Sequence, residues 1–588
     1  MKRFIKCLAC ITAANLSFFC VIPTENYLET QICASYTDGY DINTGFDLTE
    51  FKNDLQHNEE ALLESGNHEN ALTYSNNILT KLDELATDYN ILQCRYFCDN
   101  SDMDLFYTLQ TCASDLYGAQ NAFTDFIREL GEKECFTDLT DLYKISQNVN
   151  IDFARNQSQL ISDYYNCSDP EKMSDIYLRL TRLRCSEAKD NNYIAYPDMI
   201  YSTVYQRDYS PQNIDQINDS VQKLISVLKT FNLKTSDNNS IDTQMSPDET
   251  MSFFESGLSP FSEEIKSVYS YATQNNLFSL VSGENISNGA FTAYLYKYNE
   301  PRCVIGYNGN KNDISDLTRQ FGVFLSKYYK DCNCKYYTDK CDNNDIEQTI
   351  SNYFRLIYDQ RNETEYKKTI SQIIESLINS YVINEFETYA YSEPDLTAEK
   401  LSHKYCEIRK NAGFSYGDEQ DSDSDWVYIE NLYTTPFLMT GNMTASLNAL
   451  ELFNVLETEG PDKASIIFDE FVTSTRDNTM TQLINSTGIH SCLVSDDINE
   501  LAVRLKSELS EISDPDDSSK TGDINNDSYV NAVDLVILKK IILCSISDNT
   551  LSEYGYSLYN ADLNHDDYIN IFDLHRLMSL ILTNSTDK

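Results

Sequence analysis

The sequence predicts a mainly α protein: a large helical body with a small β-sheet, then a C-terminal module of two calcium-loop helices. Three observations predict it. Between residue 37 and about residue 509, apolar residues recur at helical spacing, with few glycines and no Pro/Gly-rich break. Only residues 290–297 and 302–307 read as strands. Near the C-terminus the pattern D-x-N-x-D-x-Y-x-N-x-x-D occurs twice, at residues 523–534 and 562–573, each time ahead of an apolar, helix-like run.

The first 35 residues read as a secretory signal. Lys2, Arg3 and Lys6 precede an apolar run over residues 7–22, and Cys33-Ala34-Ser35 supplies small residues for cleavage. A transmembrane anchor is the alternative, but Asn15 and Ser17 interrupt the run and it is short for a span. No later segment reaches a spanning length, so a soluble, secreted mature protein is expected. Cys7, Cys10, Cys20 and Cys33 belong to the leader, which leaves thirteen of the 17 cysteines, an odd number too scattered for a disulfide scaffold. Cys332, Cys334 and Cys341 cluster without a fourth ligand at a usual spacing, so a loop disulfide or free thiols is the better reading. The formal charge of -47 excludes a nucleic-acid binder, because the phosphate backbone would be repelled.

The body, residues 36–507, is read as one helical domain. Residues 53–86, 106–130, 220–231 and 369–386 carry apolar residues at i, i+3 and i+4. The two strand segments meet at Asn299-Glu300-Pro301 like a hairpin. The many tyrosines on helical faces read as core residues with hydrogen-bonded tips. Residues 508–520, rich in Ser, Asp and Pro-Asp, read as a solvated, flexible linker to a module over residues 521–588.

In each repeat of that module, oxygen side chains fall at positions one, three, five, nine and twelve, with a backbone carbonyl at position seven. Alternate residues then point inward around one hard cation, as Ca²⁺ requires. In the first copy G-D-I-N-N-D-S-Y-V-N-A-V-D-L leads into V-I-L-K-K-I-I-L. In the second, A-D-L-N-H-D-D-Y-I-N-I-F-D-L leads into H-R-L-M-S-L-I-L. The pair resembles a dockerin, the module that docks secreted proteins of anaerobic bacteria onto cohesins of a scaffold or cell-surface complex. Carried over by position, the first calcium site comprises Asp523, Asn525, Asp527, the Tyr529 carbonyl and Asp534. The second comprises Asp562, Asn564, Asp566, the Tyr568 carbonyl and Asp573, with Asn531 and Asn570 acting through water. Position six is usually Gly but here is Ser528 and Asp567, at a cost of about 1 kcal/mol each. The resemblance implies cohesin contact through Ala532, Val533, Lys539, Lys540, Ile571 and Phe572; packing of the two helices on each other is the alternative.

The body carries a second resemblance. G-A-F-T-A-Y-L-Y-K-Y-N-E-P-R-C-V-I-G-Y-N-G-N-K-N-D-I-S-D-L (residues 289–317) resembles the strand-strand-loop ahead of the zinc helix in the oligoendopeptidase F and thimet oligopeptidase family. Y-Q-R-D-Y (205–209), N-E-F-E-T-Y-A-Y (384–391), D-L-T-A-E-K-L (395–401), W-V-Y-I-E-N-L-Y-T-T-P-F (426–437) and the closing segment 464–488 follow in that family's order. The family's chemistry needs H-E-x-x-H on a helix, two histidines for Zn²⁺ and a Glu as general base. The six histidines are His57, His68, His403, His490, His565 and His575, and none forms this motif. The corresponding helix reads L-T-R-Q-F-G-V-F-L, with Arg319 and Val323 at the histidine positions and Gln320 at the base; only Gly322 survives. A third ligand, a Glu, is expected near residues 352–356, where no carboxylate occurs. The family's transition-state His corresponds to Asn431, and its following tyrosines to Leu438, Thr440 and Asn442. Without zinc no metal-activated water exists at neutral pH, so no catalytic residue is assigned and no zinc is expected.

Other constellations are weaker. Glu385 with Glu387, and Asp469 with Glu470, could pose as an acid pair, but on a helix such pairs read as a solvated face. His403 near Cys406 and His490 near Cys492 are sequence neighbours only. The expected function is a calcium-binding dockerin protein whose metal-free peptidase-like body binds peptide or protein, or has a structural role. An active zinc oligopeptidase with atypical ligands and a polysaccharide-degradation accessory are the rivals.

Overall fold

The computed structural model describes residues 40–143 (except 43–44), 151–231, 245–330 (except 284, 288 and 310–311), 344–413 (except 394) and 425–512 (except 477). In the tail it describes 522, 524–525, 530–542, 558–561, 563, 569, 573–574, 576–578 and 581. By internal contacts these fall into two compact units, within Met1–Lys229 plus Thr235–Glu508 and within Thr230–Lys234 plus Leu509–Lys588.

The first unit opens with long helices. In α1 (Leu48–Ser65) the Asp47 carboxylate caps the start by accepting from Thr49 and Glu50 N–H. Gly66, with φ 64°, ends it in the left-handed conformation, and Asn67 caps α2 (His68–Cys98). The helical stretch expected over residues 53–86 is therefore two helices. With α3 (Met103–Gly131) they bury Leu55, Leu82, Leu116, Phe123 and Phe126 in one core, which Tyr294 and Tyr296 also join. A short α4 (Asp138–Leu142) closes this group.

Next come α5 (Ile151–Tyr165), α6 (Pro170–Asp190), α7 (Tyr196–Thr203), α8 (Pro211–Leu228), α9 (Pro247–Ser256) and α10 (Glu263–Gln274). Proline in the first turn of α6 to α9 supplies a preset φ where no N–H partner is needed. The sheet has three strands in the order β1-β3-β2: β1 (Phe278–Val281), β2 (Ala290–Leu295) and β3 (Glu300–Gly306). The hairpin was legible, with Ala290 opposite Ile305 and Leu295 opposite Glu300, but its turn lies at residues 296–299 and β3 begins at Glu300. Strand β1, parallel to β3, was not expected.

Helices α11 (Asn312–Lys330), α12 (Asn344–Asp359) and α13 (Glu363–Ser392) form the centre, followed by α14 (Ala398–Asn411) and α15 (Glu430–Thr434). Then come α16 (Leu438–Glu459), α17 (Pro461–Ser474), α18 (Met480–Thr487) and α19 (Ser495–Ile512). Helix α12 lies against α11 on one side and α16 on another, and α11 also covers β3. Aromatic rings fill the space between: Phe354 is 4.4 Å from Phe261 and 5.2 Å from Phe321, centroid to centroid. Several buried tyrosines keep bonded tips, as expected of core tyrosines, whereas the Tyr177 and Tyr353 hydroxyls have no partner among the described residues. Tyr205, Tyr358 and Tyr433 hydroxyls donate to the carbonyls of Pro436, Phe254 and Met173.

The second unit contains α20 (Ala532–Ile542) and α21 (Leu558–Ala561). Ile524 and Leu563, each following the first acid of its repeat, share its core with Ile537, Leu538, Ala561 and Leu577. No helix among the described residues is long and apolar enough to cross a membrane.

Candidate functional site

Close approach of α11 and α12 is set by Gly322. A Cβ there would lie 2.4 Å from the Ser351 Cα, so only glycine fits. The Ser351 hydroxyl donates to the Arg319 carbonyl at 2.9 Å, tying the helices at the same level. Arg319 pairs with Asp316 one turn earlier, at 3.4 Å, and its side chain keeps 39% of its exposure. Gln320 is buried, and its Oε1 accepts from the Thr292 hydroxyl of β2 at 3.1 Å. Val323 is buried. The segment expected to hold a third ligand lies on α12, and Arg355, one turn beyond Ser351, stands there. Its Nη2 donates to Thr369 Oγ1 at 3.4 Å and to Gln372 Oε1. Burial and the Arg319 charge hold Arg355 below the usual guanidinium range, against the pull of Asp359 and Asp316. Asp359 accepts from Thr369 Oγ1 at 2.7 Å; burial pushes its carboxyl up to about 6, opposed by that bond and by Arg355. Guanidinium groups have no lone pair to give a metal, and valine has none either.

Asn431 is on α15, which packs on α5 and α6, and its Oδ1 accepts from Thr435 Oγ1 at 3.3 Å. Leu438, Thr440 and Asn442 lie in the first turns of α16. Thr440 is fully buried, donating to Asn384 Oδ1 at 2.7 Å and accepting from the Tyr201 hydroxyl at 3.1 Å. Asn442 Oδ1 accepts from Asn344 at 2.7 Å. These groups are spent on the protein's own framework.

The turn into α16 also corrects a sequence expectation. Phe437 sits in the left-handed region, φ 62°, and its N–H donates to both oxygens of Glu387 at 3.0 Å. Arg207 Nη2 donates to the Phe437 carbonyl at 2.9 Å and stacks 4.3 Å from the rings of Tyr201 and Tyr205. Glu387 is 1% exposed, so it is no solvated face. Burial pushes its carboxyl up to about 8, opposed by the Phe437 bond, Arg184 and Arg207. Helix α13 is apolar on several sides at this level, which hides a buried acid from periodicity. Glu385 is half-buried, accepts from Asn218, and is pushed up to about 7, first by burial and then by Asp215.

His490 and Cys492 form no nucleophile pair. His490 is exposed and lies 3.7 Å from Asp497, while Cys492 is buried and burial pushes its thiol up, away from thiolate. Residues 332, 334 and 341 lie outside the described residues. A cavity of about 440 Å³ opens far from Arg319 along the chain, on α1 and α2, lined by Asp47, Glu50, Asp54, Lys81, Glu84 and Asp88 among others. Neither Arg319, Gln320, Val323 and Arg355 nor the Phe437 turn lines it. Among the described residues no three His, Cys, Asp or Glu side chains are grouped to hold a metal.

In the second unit, position twelve of each repeat closes its loop. Asp534 is fully buried; Oδ1 accepts from Ile524 and Asn525 N–H at 2.8 and 3.3 Å, and Oδ2 accepts from Asn531 N–H at 2.9 Å. Asp573, also fully buried, accepts from Leu563 N–H at 2.9 Å. Asn531 Oδ1 accepts from Val533 N–H at 2.8 Å. Positions two, three, nine and twelve are thereby drawn into one ring, the closure a calcium loop needs, and the all-oxygen donor set fits that ion. The other expected ligands, Asp523, Asp527, Tyr529, Asp562, Asn564, Asp566, Tyr568 and Asn570, lie outside the described residues, as do Ile571 and Phe572. Of the expected contact residues, Val533, Lys539 and Lys540 are exposed on α20, and Ala532 opens that helix. Val536, three residues after Val533, is half-exposed on the same face and was not singled out.

Residues 521–582 match the dockerin type I domain family, so the tail is a dockerin, a module that binds calcium and docks to cohesins. The chain is also similar to a structure described as oligoendopeptidase F: 13% identity, 80% of this chain and 98% of the other, TM-score 0.62. A PZ peptidase A solved with an inhibitor matches with 13% identity over 80% of this chain and 99% of that one, TM-score 0.62. An oligoendopeptidase F from Bacillus anthracis matches with 14% identity over 82% and 99%, TM-score 0.60. The body has this peptidase fold. No curated protein matches the chain in sequence.

Proposed function

We propose that this chain is a secreted component of a cohesin-based, cellulosome-type complex, whose peptidase-fold body binds peptide or protein without cleaving it. The leader over residues 1–35 directs export, residues 508–520 link the body to the dockerin, and the dockerin attaches it to a scaffoldin or cell-surface cohesin. One observation carries the non-catalytic reading: Arg319, Gln320 and Val323 stand where the fold's zinc helix needs His, Glu and His, and Arg355 stands in the segment of the third ligand. Arginine and valine offer zinc no lone pair, and the neutral glutamine amide is too weak a base to take a proton from water. A single loss would leave room for another ligand; four together leave none of the expected set.

Calcium supplies the cross-link that folds the tail. The first ion would be held by Asp523, Asn525, Asp527, the Tyr529 carbonyl, Asn531 through water, and Asp534. Asp562, Asn564, Asp566, the Tyr568 carbonyl, Asn570 and Asp573 would hold the second. Val533, Lys539 and Lys540, with Ala532, Ile571 and Phe572, are assigned to the cohesin contact. Surface plasmon resonance with immobilised cohesins tests the docking. Binding in 1 mM calcium should vanish in chelator and in the Asp523→Ala plus Asp562→Ala variant; binding that persists in chelator overturns the assignment.

A further inference from the structure

The turn that enters α16 is held by groups from outside it. Phe437 starts the helix from the left-handed region, φ 62°, a conformation that a bulky L residue adopts only under restraint, and no side-chain cap bond supports it. Its two polar ends are gripped by residues distant in the chain. The N–H donates to both oxygens of Glu387 at 3.0 Å, and the carbonyl accepts from Arg207 Nη2 at 2.9 Å. Three earlier carbonyls of the turn are also taken. The Tyr205 hydroxyl donates to Pro436 at 2.9 Å, Arg184 Nη1 to Leu432 at 3.1 Å, and Arg184 Nη2 to Tyr433. Glu387 and Arg207 are nevertheless both incompletely served. The shared Phe437 N–H is the one hydrogen-bond donor to Glu387 among the described residues, whereas a carboxylate can accept about four. Arg207 Nη1 is buried with no partner among the described residues. The acid and the guanidinium are joined through the Phe437 backbone and not to each other.

We propose that residues 432–437 form a proton-operated latch, closed while Glu387 is neutral and released when it ionises, so that the carboxylate reaches water and Arg207 Nη1. A single N–H suits a neutral acid and leaves an anion short of donors, so ionisation favours an arrangement that brings more. Release also relaxes the left-handed backbone of Phe437. The groups facing Glu387 are Tyr177 and Arg184 on α6, Tyr196 and Tyr201 on α7, Arg207, and Tyr391 on α13 itself. Burial holds the four tyrosines above their ordinary range, so they stay neutral while the arginines stay charged. Asp345 faces Arg207 from α12 and accepts from the Tyr209 hydroxyl at 3.2 Å. Burial pushes the Glu387 carboxyl up to about 8, and hydration in the released turn would return it towards its ordinary value near 4.5. The closed turn therefore holds the proton more tightly, so low pH keeps it shut and rising pH opens it. What moves is the start of α16, with Leu438 and Thr440 in its first turn.

Hydrogen–deuterium exchange of the full chain in calcium, read by mass spectrometry and corrected for the intrinsic rate at each pH, tests the latch. Peptides covering residues 430–442 should lose at least tenfold protection between pH 6 and 8, since the open fraction can rise about tenfold per pH unit within that window. Peptides covering residues 78–92, a buried stretch of α2, should keep theirs. Glu387→Gln, which leaves an acceptor for Phe437 that cannot ionise, should hold the turn protected at both pH values. Protection over 430–442 that does not change with pH overturns the latch, as does a fall that Glu387→Gln leaves in place. An equal fall over 78–92 also overturns it, because the whole body is then opening. Should Glu387→Gln not fold, the ratio of the two segments in the unaltered chain decides by itself.

Discussion

Glu387 is where burial and charge oppose each other most plainly at the scale of one residue. Its ordinary carboxyl range lies near 4.5, and burial carries it to about 8 although Arg184, Arg207 and the Phe437 N–H all favour the anion. The folded protein therefore binds this proton more tightly than the unfolded chain. Stability from the group is fully present below about pH 4.5 and is lost as pH rises towards 8. Glu387→Gln keeps an acceptor for Phe437 and removes the titration. It should stabilise the body by on the order of 1–3 kcal/mol at pH 8.5 and by little at pH 5. Thermal melts at the two pH values check this, and equal effects at both would sink it. The sequence offers Glu387 only as one of a solvated acid pair, and it does not single out Arg355. Burial of a polar residue comes from elements distant in the chain, here the Phe437 turn and the face of α13, and no local spacing encodes that.

At the scale of elements, the contact of α11 with α12 decides what the centre of the body can do. Gly322→Ala would drive a methyl into the Ser351 backbone rather than into a flexible side chain. Overpacking of this kind typically costs about 1–3 kcal/mol, and the helices should also separate enough to weaken the Ser351–Arg319 bond. A melting temperature unchanged by this substitution would show that the helices part without strain. The elements themselves were unevenly legible. The hairpin of β2 and β3 is legible through alternation and the Asn299-Glu300-Pro301 break, although Pro301 itself lies in β3. Strand β1 is four residues, F-S-L-V, too short for any period, and its pairing is parallel to a strand about twenty residues on. The break between α1 and α2 was written locally, in Gly66 and Asn67, but the apolar period runs through it. The tail's loops were the most legible, because ligand spacing is fixed by the ion's geometry and not by tertiary packing.

For the whole molecule, the excess of acid sets how stability should vary with solution conditions. Asp359, Glu385, Glu451 and Glu387 are all buried or half-buried with carboxyls pushed up to about 6, 7, 7 and 8, burial being the largest cause in each. Each loses stability as pH rises through the window between its ordinary and its folded value. Asp169, bonded first to Lys172, and Glu249 and Glu393, bonded first to backbone N–H groups, are held below their usual range and act in the opposite sense, losing stability as pH falls. The body should thus melt highest near pH 5–6 and several degrees lower at pH 8.5. Salt at 0.5 M should raise the pH 8.5 value by screening the repulsion of a chain with formal charge -47. Trp426, the one tryptophan, is fully buried in the body, so its fluorescence reports this transition without a contribution from the tail. A melting temperature that climbs steadily from pH 5 to 8.5 would contradict the account.

We propose that a peptidase fold carries arginine and valine at two zinc-ligand positions and glutamine in place of the base. Metal analysis of protein purified natively and dialysed against zinc, run beside a quenched-peptide assay, tests it most directly. The prediction is zinc well below one atom per chain and no cleavage that a chelator abolishes. Stoichiometric zinc together with chelator-sensitive cleavage would contradict it.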